Sequence, residues 1–424
     1  MNSKITSLLI KATSIILGFL SNFYLASILT KNDFGLYGAL ISLFSICLVF
    51  SNMGISLSVI DLFPKIQAKE NILQLRRKIA LFSIISSLCV GLIAATYATV
   101  FELISLENYF VNSVLSVIFI IFFQNIHASN IATLRSLQSF RVALTLESIV
   151  FNLTFVLAIY VLYLSHSYQL LYSFLLASLI TFILSSHLTR TRVNNFEEDI
   201  SRNGIFDFKE LKISELLPFM ALGFAEVITT NLDVLLVREF FGNEETASYF
   251  IAKKMLIAFT LFWFIYNFIY TPKLSKLFFD KSNINHKEIV RIMRLKWLVL
   301  VLTTTFIVPV NIFFNDVVQY LDLASYKNAK SYLMLFSLFA LIHIITGPVI
   351  SFLNVSGLSK YSVKVVMCGA VVFLISFYPL QYFYGALGIL IALNLSLLAW
   401  KIVGIYVVKR ETGFNIFIGS YVSG

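Results

Sequence analysis

Residues 25–44 read LASILTKNDFGLYGALISLF. Two apolar runs meet there at one short polar break, TKNDFGLY (30–37). Followed outward, the first run reaches back to about residue 5 and the second continues to about residue 60. Each exceeds the roughly 20 mostly apolar residues that a helix needs to cross a bilayer. The break between them has room for a turn and nothing more, so the two runs read as an antiparallel pair of membrane helices. The same alternation of long apolar run and short polar link continues along the chain. It predicts spans near 5–29, 36–60, 79–100, 110–131, 143–164, 168–188, 213–236, 247–271, 297–314, 331–353, 365–384 and 386–408.

Composition agrees with that reading. The 424 residues are 58% hydrophobic and only 13% charged, whereas soluble domains run near 45–50% apolar and 25% charged. Too little polar surface is present to cover a core of this size in water. Twelve spans and their links use the whole length, so no separate soluble domain fits. The net charge is +10, but the basic residues fall in short links between apolar runs, which argues against nucleic acid as a partner. With the N-terminus in the cytoplasm, the outer loops hold only Lys31, Arg238, Lys327 and Lys330 of the 32 lysines and arginines. That asymmetry predicts both termini on the inside. Cys47, Cys89 and Cys368 lie in apolar runs without a CxxC pair, so neither a disulfide framework nor a zinc site is indicated. Lys11 interrupts the first apolar run, and the segment recurs later, which argues against a cleaved signal peptide.

The chain reads as two related halves. TKNDFGLY (30–37) aligns with GNEETASY (242–249) at an offset of 212, FPK (63–65) with TPK (271–273), and LQSFR (137–141) with GLSKY (357–361). Three matches in one order point to a duplicated six-helix unit. Six is even, so the copies are parallel and flank a central cleft. The expected organisation is an all-α integral membrane protein: a first six-helix bundle at 1–188, a cytoplasmic linker at 189–212, a second bundle at 213–410 and a cytoplasmic tail at 411–424.

No phosphate-cradling GxxxxGK[ST], helix-opening GxGxxG, HExxH, GxSxG or metal-spaced histidine cluster occurs. Catalytic residues, a cofactor and a metal are therefore not expected. His127 and His343 occupy corresponding spans and read most simply as polar residues bonded inside the bundle. Charges at membrane depth carry more information, because they are expensive there and tend to face a wet cavity. Lys11 lies about two turns into the first span, and Asn22, eleven residues on, shares its face. Glu226 and Asp233 are seven residues apart on one face of the seventh span, with Thr230 between them. They could bind a coupling cation, H+ or Na+, or form a structural ion pair. Lys253 and Lys254 lie about two turns into the eighth span; adjacent residues point about 100° apart, so at least one should face the interior. Asp61 and Glu147 are weaker candidates. Lys11, Asn22, Lys253 and Lys254 together suggest a cationic cleft suited to a diphosphate, since lysine binds phosphate as a point charge.

LASILTKNDFGLYGALISLF (25–44), SNMGISLSVIDLFPK (51–65), LRSLQSFRVALTLE (134–147) and ITTNLDVLLVREFFGNEETASYFIAKKM (228–255) resemble polysaccharide-export flippases. These are the Wzx-type O-antigen and capsule transporters of the multidrug/oligosaccharidyl-lipid/polysaccharide exporter superfamily. Asn52-Met53-Gly54 stands where that family often has D-x-G, and Asp233 stands at its habitual acid. The resemblance implies a V-shaped bundle of twelve helices in the bacterial cytoplasmic membrane. It would flip an undecaprenyl-diphosphate-linked oligosaccharide to the outer leaflet, alongside membrane lipids and polysaccharide polymerase machinery. The competing expectations are a multidrug exporter of the same superfamily, which would favour an acidic cavity, and a membrane polysaccharide polymerase or ligase, which would need a long outer loop.

Overall fold

The computed structural model describes residues 3–52, 69–101, 110–137, 139–163, 169–194, 223, 227–279, 286–320, 323–326 and 328–421. Among these the chain is almost entirely helical. In chain order the helices are α1 (Ser3–Ile28), α2 (Lys31–Asn52), α3 (Lys69–Val100), α4 (Phe110–Ser136), α5 (Phe140–Leu144), α6 (Phe151–Tyr163), α7 (Gln169–Asn194), α8 (Asp233–Phe259), α9 (Leu261–Phe279), α10 (His286–Ile312), α11 (Phe314–Tyr320), α12 (Ala329–Thr346), α13 (Val349–Val355), α14 (Ser359–Tyr384) and α15 (Ala386–Thr412). A two-stranded hairpin, β1 (Phe414–Asn415) and β2 (Ser420–Tyr421), follows. Nine helical stretches among the described residues are long and apolar enough to cross a membrane. A bent pair, Thr230–Phe259 with Leu261–Thr271, raises the count to ten if it forms one span.

The packing divides the chain into two units. One comprises Met1–Ser21 and Ala39–Val227, and the other Asn22–Gly38 and Ile228–Gly424. The sequence reading put 22–38 with the first bundle; by contact this segment packs within the second unit.

The first unit is knitted by small polar side chains, as membrane helices often are because lipid supplies no hydrophobic drive between them. Asn125 on α4 is at its centre. Its amide donates to Ser51 O at 3.2 Å and to Ser87 Oγ at 2.9 Å. Its carbonyl accepts from Asn52 Nδ2 at 3.2 Å, while Ser86 Oγ donates to Ser51 O at 2.7 Å. Gln124 and Asn130, on the same helix, reach Ser178 and the pair Ser185 and Ser186 on α7. Arg135 pairs with Glu147 across the π turn Thr145–Val150 that joins α5 to α6. The weaker acid candidate Glu147 is thus tied to an arginine.

In the second unit α14 and α15 run side by side, and Ser396 Oγ donates to Gly369 O at 2.7 Å. The span begun by α12 breaks at Gly347 (φ 82°) and Pro348 before resuming as α13. Residues 414–421, read from sequence as part of a tail, form the β hairpin. Phe414 and Ile416 are buried in a cluster with Ile292, Met293 and Phe352.

Candidate functional site

α8 cannot be one straight rod. Asp233 and Lys253 are twenty residues apart, about 30 Å along an α-helix. Yet Lys253 Nζ lies 2.6 Å from Asp233 Oδ1 and 2.8 Å from Oδ2. The chain reverses between them at Gly242, whose φ of 79° and ψ of 179° are open only to glycine. α8 is therefore a hairpin of two legs. At the 212-residue offset Gly242 answers Thr30, which lies in the break between α1 and α2. There Thr30 caps α2: its hydroxyl donates to Asp33 Oδ2 at 2.7 Å and accepts the Asp33 N–H at 3.1 Å.

The two reversals meet inside the second unit. Asn243 Nδ2 donates to Asn32 Oδ1 at 3.1 Å, and Arg238 Nε donates to Asn243 Oδ1 at 3.1 Å. A Cβ on Gly35 would lie 1.8 Å from Asn243 O, so no larger residue fits unless a backbone moves. Phe34 and Tyr37 meet the Phe250 ring edge-on, with centroids 5.7 and 5.8 Å away. Phe34 also meets Tyr326 edge-on at 5.9 Å.

Below the α8 reversal lies a charged network. Asp233 is fully buried. It accepts from Tyr249 Oη at 2.6 Å as well as from Lys253, which also donates to Thr230 O at 2.6 Å. A buried carboxylate is tolerated when its lone pairs are filled in this way. Tyr249 packs edge-on against Tyr332 and Phe336, and Tyr332 Oη donates to Glu245. Lys254 turns the other way, its Nζ 4.4 Å from the centre of the Phe250 ring. Both lysines therefore face protein, where sequence reasoning required only one to do so.

Asn22 is buried and accepts from Tyr37 Oη at 3.4 Å. Through Tyr37 and Phe250 it joins the same cluster as Lys254. Lys11 lies on α1 with its side chain outside the described set, and Glu226 lies outside the described residues. Asp233, Lys253, Lys254 and Asn22 are thus brought together, and Asp233 is paired with a lysine from the returning leg.

Two lysines escaped the sequence reading. Lys296 is fully buried. Its Nζ donates to Ile345 O at 2.8 Å, Ile416 O at 2.9 Å and Phe417 O at 2.8 Å. Lys401 donates to Gly347 O at 2.7 Å. The break at Gly347 leaves carbonyls at the negative end of α12 without helical partners. Lys296 fills the carbonyl of Ile345 and Lys401 that of Gly347. The signal available in sequence was the Gly347-Pro348 pair in the middle of an apolar run.

The family model for polysaccharide biosynthesis proteins matches residues 2–278. No curated protein sequence matches the chain. Among solved structures, lipid II flippase MurJ in an inward closed conformation is similar over 96% of this chain and 87% of its own, at 16% identity and a TM-score of 0.68. An inward-facing multidrug resistance MATE family transporter of the MOP superfamily is similar over 97% of this chain and all of its own, at 13% identity and a TM-score of 0.66. A mutant of the MATE transporter VcmN of Vibrio cholerae matches at 11% identity and a TM-score of 0.58, over 96% of this chain and 95% of its own. The chain shares the fold of these solved structures. With that family model matched over more than half its length, the chain, a multi-pass membrane protein, belongs to the polysaccharide biosynthesis protein family.

Proposed function

We propose that the protein is a flippase. Its substrate is an undecaprenyl-diphosphate-linked oligosaccharide, an O-antigen or capsule repeat unit, carried from the cytoplasmic to the outer leaflet of the bacterial inner membrane. The reading takes twelve helices in two parallel six-helix repeats, with both termini inside. It is supported by the family match and by one feature of the site. Asp233 is neutralised by Lys253, while Lys254 rests on a phenyl face and forms none of the ion pairs among the described residues. Lys254 thus stands beside the neutralised Asp233–Lys253 pair as an ammonium point charge, the kind of group that binds a phosphate rather than an organic cation. Lys11 and Asn22 complete the proposed substrate contacts. Alternating access brings the cluster first to one leaflet and then to the other.

Coupling in this reading runs through Asp233 and Glu226. A proton or sodium ion bound at Asp233 would release Lys253 toward the diphosphate, and its loss would restore the pair. Full transport by Glu226→Gln and Asp233→Asn variants under a collapsed ion gradient would remove coupling from the proposal.

The test is flipping of a fluorescent undecaprenyl-diphosphate oligosaccharide in proteoliposomes. Wild type is expected to expose it to the outer face, with Lys254→Gln and Lys11→Ala slowed at least about ten-fold, the loss of one charge-assisted contact. The similarity to a multidrug MATE transporter favours a second reading, export of organic cations. The same vesicles loaded with such a cation decide between them: cation export without lipid movement overturns the flippase.

A further inference from the structure

The first unit holds a cavity of about 280 Å³ that the transport reading does not use. It lies where the start of α3 meets the ends of α4 and α7. Arg76 and Arg77 stand at its rim, and Ser83, Ser129, Asn130 and Thr133 are among the residues that line it. Drug-sized ligand pockets run from about 300 to 1,000 Å³, so an oligosaccharide does not fit but a lipid headgroup does. Neither arginine takes part in the ion pairs Arg135–Glu147, Arg238–Glu239, Lys253–Asp233 and Arg410–Glu411 seen among the described residues.

The interior is suited to hydroxyl groups. Ser83 is fully buried, and its Oγ is without a hydrogen-bond partner. Buried polar atoms are rarely left so, and Ser83 is one of the residues that line the cavity. It lies seven residues, about 10 Å, along α3 from Arg76. Ser129 and Thr133 each donate to a backbone carbonyl, at 3.1 and 2.9 Å, which leaves their oxygens able to accept.

The outer face of α3 indicates where a ligand enters. Leu81, Ile85, Leu88 and Leu92 are all exposed, Leu81 at 62% and Ile85 at 63%. Spacings of four, three and four residues put them on one stripe, and Arg77 is four residues before Leu81 on the same stripe. An exposed apolar stripe on a membrane helix faces acyl chains. A cation at its end lies at headgroup level, and basic pockets between membrane helices recognise anionic headgroups.

We propose that this cavity binds an anionic glycerophospholipid with a hydroxylated headgroup, of the phosphatidylglycerol type. Its phosphodiester meets Arg76 and Arg77, its headgroup hydroxyls reach Ser83, Ser129 and Thr133, and its acyl chains lie along the Leu81–Leu92 stripe. The site is separate from the proposed transport cluster and independent of what is transported.

Native mass spectrometry of the full chain in detergent, with phosphatidylglycerol and phosphatidylcholine added in turn, tests it. Phosphatidylglycerol is expected to be retained preferentially. The Arg76→Gln/Arg77→Gln variant should lose roughly ten- to thirty-fold in that retention, as removal of two basic contacts predicts. Arg190→Gln/Arg192→Gln, which removes charge from α7 outside the cavity, should change it less than about two-fold. Equal retention of the two lipids, or equal loss in both double variants, overturns the proposal. Displacement of the lipid by equimolar glycerol 3-phosphate assigns the site to a soluble phosphate instead, and displacement by undecaprenyl diphosphate assigns it to the transport substrate; either overturns it. Should the arginine variant fail to fold, Ser83→Leu fills the cavity without changing charge, and unchanged retention in that variant also overturns it.

Discussion

The second unit contains two helical reversals built on one plan and filled with different chemistry. In the α1–α2 reversal Tyr37 donates to the neutral Asn22 at 3.4 Å. In the α8 reversal the corresponding Tyr249 donates to the carboxylate of Asp233 at 2.6 Å, and Lys253 closes on the same group. At the 212-residue offset Lys253 and Lys254 answer Ile41 and Ser42. The scaffold, a tyrosine on the returning helix reaching a polar group on the outgoing one, is common to both. The buried ion pair belongs to the α8 reversal. Two reversals of like geometry can thus carry different chemistry, a buried ion pair in one and a neutral hydrogen bond in the other.

That contrast can be broken most sharply at Asp233. Removing one member of a buried ion pair leaves the other uncompensated and costs about 3–5 kcal/mol, whereas replacing both by apolar residues of similar volume is often neutral. Asp233→Leu should therefore lower stability strongly in a detergent-solubilised thermal or denaturant melt, and Asp233→Leu/Lys253→Met should recover most of it. A double variant as unstable as the single one would mean that Lys253 is not the partner that matters.

The shared scaffold is probed at Gly35. An alanine there must push the Asn243 carbonyl away, and overpacking of this kind costs about 1–3 kcal/mol. Gly242→Ala meets no neighbouring atom within 4 Å, so it reports backbone strain alone, also about 1–3 kcal/mol. If Gly35→Ala melts like wild type, the two reversals are not in the close contact described. The smallest effects belong to the tyrosines. Tyr249→Phe removes a hydrogen bond to a charged group and should cost about 1.5–3 kcal/mol, while Tyr37→Phe removes a long neutral one and should cost under about 1 kcal/mol. Equal shifts would make the charge difference between the two reversals energetically irrelevant.

What was legible in sequence follows from period and length. Long apolar runs announce spans whatever they pack against, and the polar breaks at 30–37 and 242–249 announce reversals. Asp233, Lys253 and Lys254 were visible as charges in apolar surroundings. Their pairing was not. A seven-residue spacing places Glu226 and Asp233 on one helix face, because same-helix faces are all that spacing can address, and Glu226 lies outside the described residues. The observed partner comes from beyond the Gly242 reversal. The burial of Lys296 was hidden for the same reason: its carbonyl partners are Ile345, Ile416 and Phe417, far away in sequence. Gly35 gave no local sign either, since the atom that excludes a side chain there belongs to residue 243.

The membership of residues 22–38 in the second unit has a consequence for biosynthesis. The rest of that unit begins at residue 228, so joining the two parts closes about 190 residues of intervening chain. At roughly 5–20 residues per second, the ribosome delivers Asn243 some 10–40 s after Gly35. Throughout that interval Phe34 and Tyr37 await Phe250. The first helical pair must therefore enter the bilayer before its final neighbours exist. Whatever holds it there, lipid or insertion machinery, must release it when the second reversal arrives.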